Sequence, residues 1–577
     1  VRSSSGRDWA IAAVVTALLL AAWPTAGHYD DGAIYERYAA NAARGLWSTY
    51  DATRGPVWGQ SGLLYGLAAG SLTRAGATPR DALVALDAAG TALTLFVLAR
   101  LAGPRASLAW RWGFALLGLA AAPHLAVNLR QLLETPMHVG LVLAAVHLTM
   151  RERWREALAA AALLVPSKLD AAPVSLLLAA VASRDLLRAR GPRAALTALG
   201  LCYVAPLAAY LAATWCAFGS LLPHSAAVKF LLYPRRPSSP SVISLWLAAP
   251  AQKAALLAAV VGAAVDARRA RSLRPALPLA SAACVAAVYV VYAPAEAMTW
   301  YAALPEALVS AQLVASGAQF MALAGRQVLA AAVAVIAGVS CIPPLAGAFA
   351  EALSAIEASE GAGRLTRLAR AVAQPEDALA TCMGVAAREW PGPIVDTCGI
   401  NDTRAAEALR AGLDPVTSLR PPWALTVGSG RTGYLLVASA YDHAHLGWRA
   451  WRLLRRADAG ARPHRELLAG DVLEGAARRV ASVEVTTFAG SLRVEGHRVR
   501  LRLTRGGAAS RLALGVERLP HASRLFIAAC GRAQVVGVEA AAWGLRTESV
   551  AVEVRCAEGS VWWESGERVV VLDPVVE

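Results

Sequence analysis

Two adjacent carboxylates, Asp30 and Asp31, follow the first long apolar run, within His28-Tyr29-Asp30-Asp31. Ionisable groups near membrane depth are costly and tend to be kept where they are used. The chemistry such a pair suits is general-base catalysis, because a hydroxyl is a poor nucleophile until a carboxylate accepts its proton. Two close carboxylates resist ionising together, which raises the proton affinity of one of them. An ordinary solvated loop is the competing reading of the same four residues. Glu134 opens a later apolar run, where an acid can steady a helix N-terminus through the dipole or hold a hydroxyl. Asp170 is similar. His124 and His138 read as satisfied polar residues within helices.

The elements that must position these residues are apolar. The chain has 577 residues, of which 56% are hydrophobic and 17% charged, with a mean hydropathy of +0.45. Soluble domains carry about 25% charged residues, so a cytosolic enzyme is excluded, as is disorder over most of the chain. Runs of apolar residues continue to about 347, and a polar, alternating pattern follows. The predicted spans are 9–26, 82–100, 110–127, 136–150, 156–167, 171–187, 194–217, 245–265, 275–293, 303–323 and 327–347, eleven in all. The first could be a signal peptide, but no clear cleavage site follows, and it is read as an uncleaved helix. Between 27 and 81, residues 32–46 and 61–74 have helical patterns suited to lying in the interface.

The net charge of +15 would ordinarily suggest nucleic acid. Here arginines sit in alternate loops, the positive-inside pattern, and no nucleic-acid partner is expected. The expected cytoplasmic segments carry Arg2 and Arg7; Arg100, Arg105 and Arg111; Arg151, Arg153 and Arg155; Arg184, Arg188, Arg190 and Arg193; Arg268, Arg269, Arg271 and Arg274; and Arg326. The opposite loops are sparse, with Arg130 and Lys168 standing alone. This orientation places the N-terminus in the cytoplasm and the C-terminal part in the periplasm or its equivalent. The chain has three lysines, Lys168, Lys229 and Lys253; with abundant Ala and Arg, this is the bias of a GC-rich bacterial genome.

The predicted organisation is a membrane domain over 1–347, a helical and mixed periplasmic segment over 348–450 packing over the active site, and a β-sandwich-like domain over 451–577. The last rests on period-two stretches such as Arg498-Val499-Arg500-Leu501-Arg502-Leu503, separated by Gly-rich turns. Cys202, Cys216, Cys284 and Cys341 fall in spans. Cys382, Cys398, Cys530 and Cys556 fall in the outer part, where pairing 382–398 and 530–556 is simplest. There is no CxxC, so no zinc site is expected.

The stretch from Asp30 to Gly45, DDGAIYERYAANAARG, resembles the DD-x-x-I-x-x-RYA-x-N-x-x-x-G signature of GT-C glycosyltransferases, and in particular the mycobacterial terminal arabinofuranosyltransferases. Further likenesses follow in order. Gly59-Gln60-Ser61-Gly62-Leu63-Leu64 is similar to a G-x-T/S-S/N-P-L-W motif without its Pro. Leu133-Glu134-Thr135-Pro136 is similar to M-E-T-P. Gly219 to Lys229 resembles G-x-x-x-P-N-T/S-x-x-A-K, with His224 in place of Asn. Val395 to Asp402 resembles D-x-x-G-L-N/T-D. The likeness covers about 9–410. Ser167-Lys168-Leu169-Asp170 stands where relatives have R-P-D/E, and Trp300-Tyr301 where many have R-Y-x-x-P, so an expected Arg is missing.

The resemblance implies a polytopic α-helical membrane protein, GT-C-like, with a periplasmic β-rich domain. It implies an inverting transferase moving a sugar such as arabinofuranose from a polyprenyl phosphate to a cell-envelope glycan, with Asp30 or Asp31 as base. A departing lipid phosphate needs cations and donors; Lys229, His224, Lys168 and Arg130 are the candidates. Glu134, Asp170, Asp396 and Tyr301 are the candidates for holding sugar or acceptor. The convergent acids are too few to specify a metal, and the question of a divalent cation stays open. Two other readings fit parts of the sequence: a lipid-linked sugar transporter, and a GT-C-like glycan-binding protein without activity.

Overall fold

The computed structural model describes residues 2–22, 30–103, 106–129, 131–232, 241–248, 250–292, 299–324, 360–370, 373–382, 384–427 and, beyond these, strands between 434 and 572. The Asp30 side chain, Arg130, the expected span at 327–347, Cys341, Cys530 and Cys556 lie outside the described residues. The chain divides into two compact units. One comprises Val1–Gly27 and Asp31–Leu353, the other His28–Asp30 and Ser354–Glu577.

The first unit is helical. In chain order it holds α1 (Arg2–Ala22), α2 (Asp30–Ala43, whose first residue the division leaves with the other unit), α3 (Leu63–Arg74), α4 (Pro79–Leu101), α5 (Leu108–Ala120), α6 (Pro123–Asn128), α7 (Thr135–Met150) and α8 (Trp154–Ser167). There follow α9 (Ala172–Leu199), α10 (Ala205–Phe218), α11 (His224–Leu232), α12 (Val242–Trp246), α13 (Pro250–Ala270), α14 (Leu277–Tyr292) and α15 (Thr299–Ala324). Starts follow local chemistry. Thr78 caps α4 by accepting from the Asp81 N–H at 3.1 Å, with Pro79 in the first turn.

Among the described residues, four helical runs are long and apolar enough to cross a membrane: Pro79–Leu101, Leu169–Phe218, Pro250–Ala270 and Arg274–Val291. The division differs from the eleven predicted spans for identifiable reasons. The run Leu169–Phe218 is broken at Gly191, which takes φ 81° before Pro192, into two helices that correspond to the spans expected at 171–187 and 194–217. The span expected at 110–127 is interrupted, and α6 restarts at Pro123. Helices α7 and α8 have 16 and 14 residues, about 24 and 21 Å at 1.5 Å per residue, short of a ~30 Å hydrocarbon core. Leu201, Trp215, Leu257 and Val291 are exposed, the apolar outer surface that lipid covers.

The loops expected on the cytoplasmic side bond one another. Buried Asp8 pairs with Arg100 at 3.4 Å and Arg111 at 3.0 Å, joining α1, α4 and α5. Arg274 pairs with Glu152 and, at 2.9 Å, with Asp185. Further along α15, Glu306 accepts from Gln252 at 2.5 Å and meets His124 Nδ1 at 2.6 Å, tying α15 to α13 and α6. The tightest helix crossing is built on glycine. A Cβ on Gly90 of α4 would collide with the backbone of Pro136 and Met137, and one on Gly140 of α7 would lie 2.7 Å from the Gly90 carbonyl. Small residues let two backbones approach where hydrophobic force between helices is absent.

The second unit carries β1 (Leu379–Thr381), β2 (Ile394–Asp396) and β3 (Trp423–Val427), with β1 central and parallel to both neighbours. Beyond β3 the sheet continues antiparallel through Gly447–Arg456, Tyr434–Ala444, Arg568–Leu572, Gly559–Ser565, Ser523–Ala529 and Arg532–Gly537. A second, five-stranded sheet is antiparallel. Position 450, the predicted border between two segments, falls inside one strand of the nine-stranded sheet. Cys382, just after β1, is bonded to Cys398, just after β2.

Gly90→Val is expected to destabilise the detergent-solubilised protein by about 1–3 kcal/mol, the usual range for overpacking. Gly113→Val, where a Cβ meets nothing within 4 Å, is the control. Equal thermal midpoints for the two variants would contradict the crossing.

Candidate active site

Three of the sequence motifs converge because glycine lets their backbones touch. Gly32, next to Asp31 in the first turn of α2, sits on the Gln131 carbonyl, and a Cβ there would also lie 3.0 Å from Leu132 Cβ. A Cβ on Gly62 would come within 2.8 Å of Glu134 Cβ and 2.9 Å of the Ser167 carbonyl. The segments around 31, 62, 134 and 167 therefore meet at one place. Two residues of the first motif hold the long loop that leads there. Arg37 Nε donates to the Tyr50 carbonyl at 2.7 Å, and Asn41 Nδ2 to the Thr49 carbonyl at 2.8 Å.

Glu134 is the centre of this meeting and is 3% exposed. Its Oε1 accepts from Ser61 Oγ at 2.7 Å and lies 3.0 Å from Lys168 Nζ; its Oε2 accepts from Tyr35 OH at 2.8 Å. The Gly62 N–H donates to Tyr35 OH at 3.1 Å. Lys168 follows α8 and lies 4.0 Å from Asp170 Oδ2 and 5.6 Å from the ring centre of Tyr301. Asp170 accepts from Tyr289 OH, and its Oδ1 lies 3.2 Å from His138 Nε2, out of line for a hydrogen bond. His138 Nδ1 meets Ser167 Oγ at 2.8 Å. Tyr289 and Tyr301 pack edge to face at 5.3 Å. Tyr301 lies near the start of α15, which contains Pro305.

Glu134 and Lys168 flank the apolar helices rather than lie inside them. Burial raises the Glu134 carboxyl, but the Lys168 ammonium and the Ser61 and Tyr35 hydroxyls outweigh it and hold it at about 2. For Lys168, burial lowers the ammonium and the two neighbouring carboxylates reverse the balance, leaving it above its usual value. Both shifts favour the charged form of the pair.

Of the predicted site residues, Glu134, Lys168, Asp170 and Tyr301 come together. Asp31 is half-buried at the start of α2, beside the same segment. The ammonium of Lys168, a phosphate-ligand candidate, is buried between two carboxylates. His224 and Lys229 are half-buried on α11, and the His224 N–H donates to the Trp58 carbonyl at 2.8 Å. Asp396 belongs to the second unit, where it accepts from Asn401 N at 2.7 Å, Asn401 Nδ2 at 2.9 Å and Cys398 N at 3.0 Å. Burial nevertheless pushes its carboxyl up to about 6. Tyr35, Ser61, His138 and Tyr289 were not among the sequence candidates for the site. Ser61 and Tyr35 stand inside quoted motifs, which was the available signal. Tyr289 had none. Among the described residues, one cluster has metal-ligand spacing, Cys382, Asp396 and Cys398, and its sulfurs are bonded to each other.

No protein-family model and no curated protein matches the sequence. The fold is similar to that of ArnT from Cupriavidus metallidurans, solved bound to undecaprenyl phosphate and in the apo state. The bound structure aligns with a TM-score of 0.51 at 15% identity, over 78% of this chain and 98% of that one. The apo structure gives 0.51 at 14%, over 79% and 100%. The chain thus has an ArnT-like fold.

Lys168→Met leaves Glu134 buried without its cation and is expected to destabilise by about 3–5 kcal/mol. Adding Glu134→Gln should recover part of that loss in a double-mutant cycle of thermal unfolding; simple additivity would contradict the pair. Because Glu134 is depressed below its ordinary 4.5, its stabilisation is complete above that pH and is lost as pH falls toward 2. Asp396 has the opposite sign. Its folded value of about 6 exceeds the ordinary 3.8, so stability falls as pH rises from about 4 to about 6, by about 3 kcal/mol. The slope should vanish in Asp396→Asn.

Proposed function

We propose that the protein is an integral-membrane glycosyltransferase that moves a sugar from a polyprenyl-phosphate donor to a cell-envelope glycan on the outer face of a bacterial inner membrane. The observation that carries this reading is the convergence of the Asp31, Ser61, Glu134 and Lys168 segments at one end of a helical unit. The fold supports it, being similar to that of a protein solved with undecaprenyl phosphate bound. The family resemblance, and not the order of the motifs, adds a pentofuranose such as arabinofuranose as the transferred sugar.

In this reading the acceptor hydroxyl oxygen attacks the anomeric carbon with inversion. The bond from that carbon to the phosphate oxygen breaks, polyprenyl phosphate departs with the electron pair, and the hydroxyl proton passes to Asp31 or Asp30. Lys229 and His224 of α11 face the developing phosphate charge. Glu134, held ionised by Lys168, accepts a sugar hydroxyl, and Asp170 with Tyr289 and Tyr301 completes the wall.

The test is transfer from radiolabelled polyprenyl-phosphate sugars, arabinose and mannose included, to cell-wall glycan acceptors. Asp30→Asn or Asp31→Asn should lower turnover about 10²–10⁴-fold, the range for a lost general base, with undecaprenyl phosphate binding retained. Absence of transfer from every donor by a wild-type protein that binds undecaprenyl phosphate would overturn the reading in favour of transport or glycan binding.

A further inference from the structure

Asp87 of α4 is fully buried, lies outside the motifs, and holds both routes by which Glu134 is placed. Its Oδ2 accepts the backbone N–H of Leu132 at 3.1 Å. Leu132 has φ 59°, a left-handed conformation that a branched side chain adopts only when its surroundings enforce it. Two residues further on is Glu134. The same Gln131–Leu132 backbone bears on Gly32, which adjoins Asp31. Asp87 Oδ1 accepts from Tyr65 OH at 2.8 Å, the Tyr65 ring packs edge to face on Tyr35 at 5.1 Å, and Tyr35 OH donates to Glu134 at 2.8 Å.

We infer that Asp87 is a positioning residue: one buried carboxylate fixes the strained Leu132 turn and, through Tyr65 and Tyr35, sets Glu134 in register with Asp31. The inference rests on the glycosyl-transfer reading for its effect on turnover, though the placement of residues 131–134 stands apart from it. Leu132 has no conformational preference of its own for this turn. Without the acceptor at Asp87 its buried N–H would lose its partner, and the segment would relax toward an ordinary backbone conformation. A shift of about 1 Å in a catalytic constellation is enough to cost about 10²-fold in rate.

The experiment uses the full chain in lipid nanodiscs, with Asp87→Ala and Asp87→Asn. Asparagine can accept the Leu132 N–H through Oδ1 and donate to the Tyr65 oxygen through Nδ2. It is therefore expected to keep turnover within about threefold of wild type. Alanine should lower kcat about 10²-fold with little change in KM for the polyprenyl-phosphate donor. Hydrogen exchange gives a readout independent of activity: the amides of 131–134 should exchange at least tenfold faster in Asp87→Ala, with α7 unchanged and Asp87→Asn like wild type. Full activity and unchanged exchange in Asp87→Ala would overturn the inference. So would a loss in Asp87→Asn as large as that expected for alanine, an arm that decides even where Asp87→Ala does not fold. A wild type without transfer would defeat the glycosyl-transfer reading, and the exchange result would still decide the placement of 131–134.

Discussion

Glu134 and Lys168 meet at 3.0 Å with little access to water. Two charges taken out of water repay their desolvation only with good geometry and with every remaining lone pair and proton engaged. That requirement organises one end of the helical unit. Ser61 and Tyr35 supply donors to the carboxylate, Asp170 and the face of Tyr301 flank the ammonium, and Tyr289 in turn holds Asp170, with His138 beside it. Each partner comes from a different helix or loop, so α2, α7, α8, α14 and α15 all contribute to the surroundings of the pair.

The close glycine contacts are the geometric counterpart of that requirement. Charges this near demand backbones this near, and Gly32, Gly62, Gly90 and Gly140 are where side chains have been removed to allow it. Arg37 and Asn41 show the same economy in a polar form. Both belong to the signature after Asp30 and Asp31, yet their side chains bind the backbone of residues 49 and 50. That part of the signature serves architecture, by pinning the loop that delivers Ser61.

Much of this was legible in the sequence where a pattern has one physical cause. Hydropathy located α4, α13 and α14, and the alternation of arginine loops grouped Arg100 and Arg111 with the N-terminal segment, whose Asp8 they bond. Glu134, Lys168, Asp170 and Tyr301 were candidates for separate reasons and prove to be neighbours. What escaped did so because its cause is tertiary. Tyr289 sits in a run of apolar residues in which nothing distinguishes it until Asp170 arrives beside it. Helices α7 and α8 are too short for a span count to describe. Strands β1 and β2 are three residues long and wholly buried, so they have no alternation to read. Position 450 falls inside a strand whose two sheet neighbours, Tyr434–Ala444 and Trp423–Val427, both precede it in the chain.

Pro305 gives the site a mechanical property. A proline has no N–H for the carbonyl four residues earlier, and in α15 that carbonyl belongs to Tyr301. The turn that carries the ring over Lys168 is thus coupled to its helix by one backbone bond fewer than a regular turn. One residue beyond Pro305, Glu306 is anchored by His124 and Gln252. The arrangement is that of a short lever on a fixed pivot. The wall of the site that Tyr301 forms is therefore held by fewer backbone bonds than the body of α15 behind it.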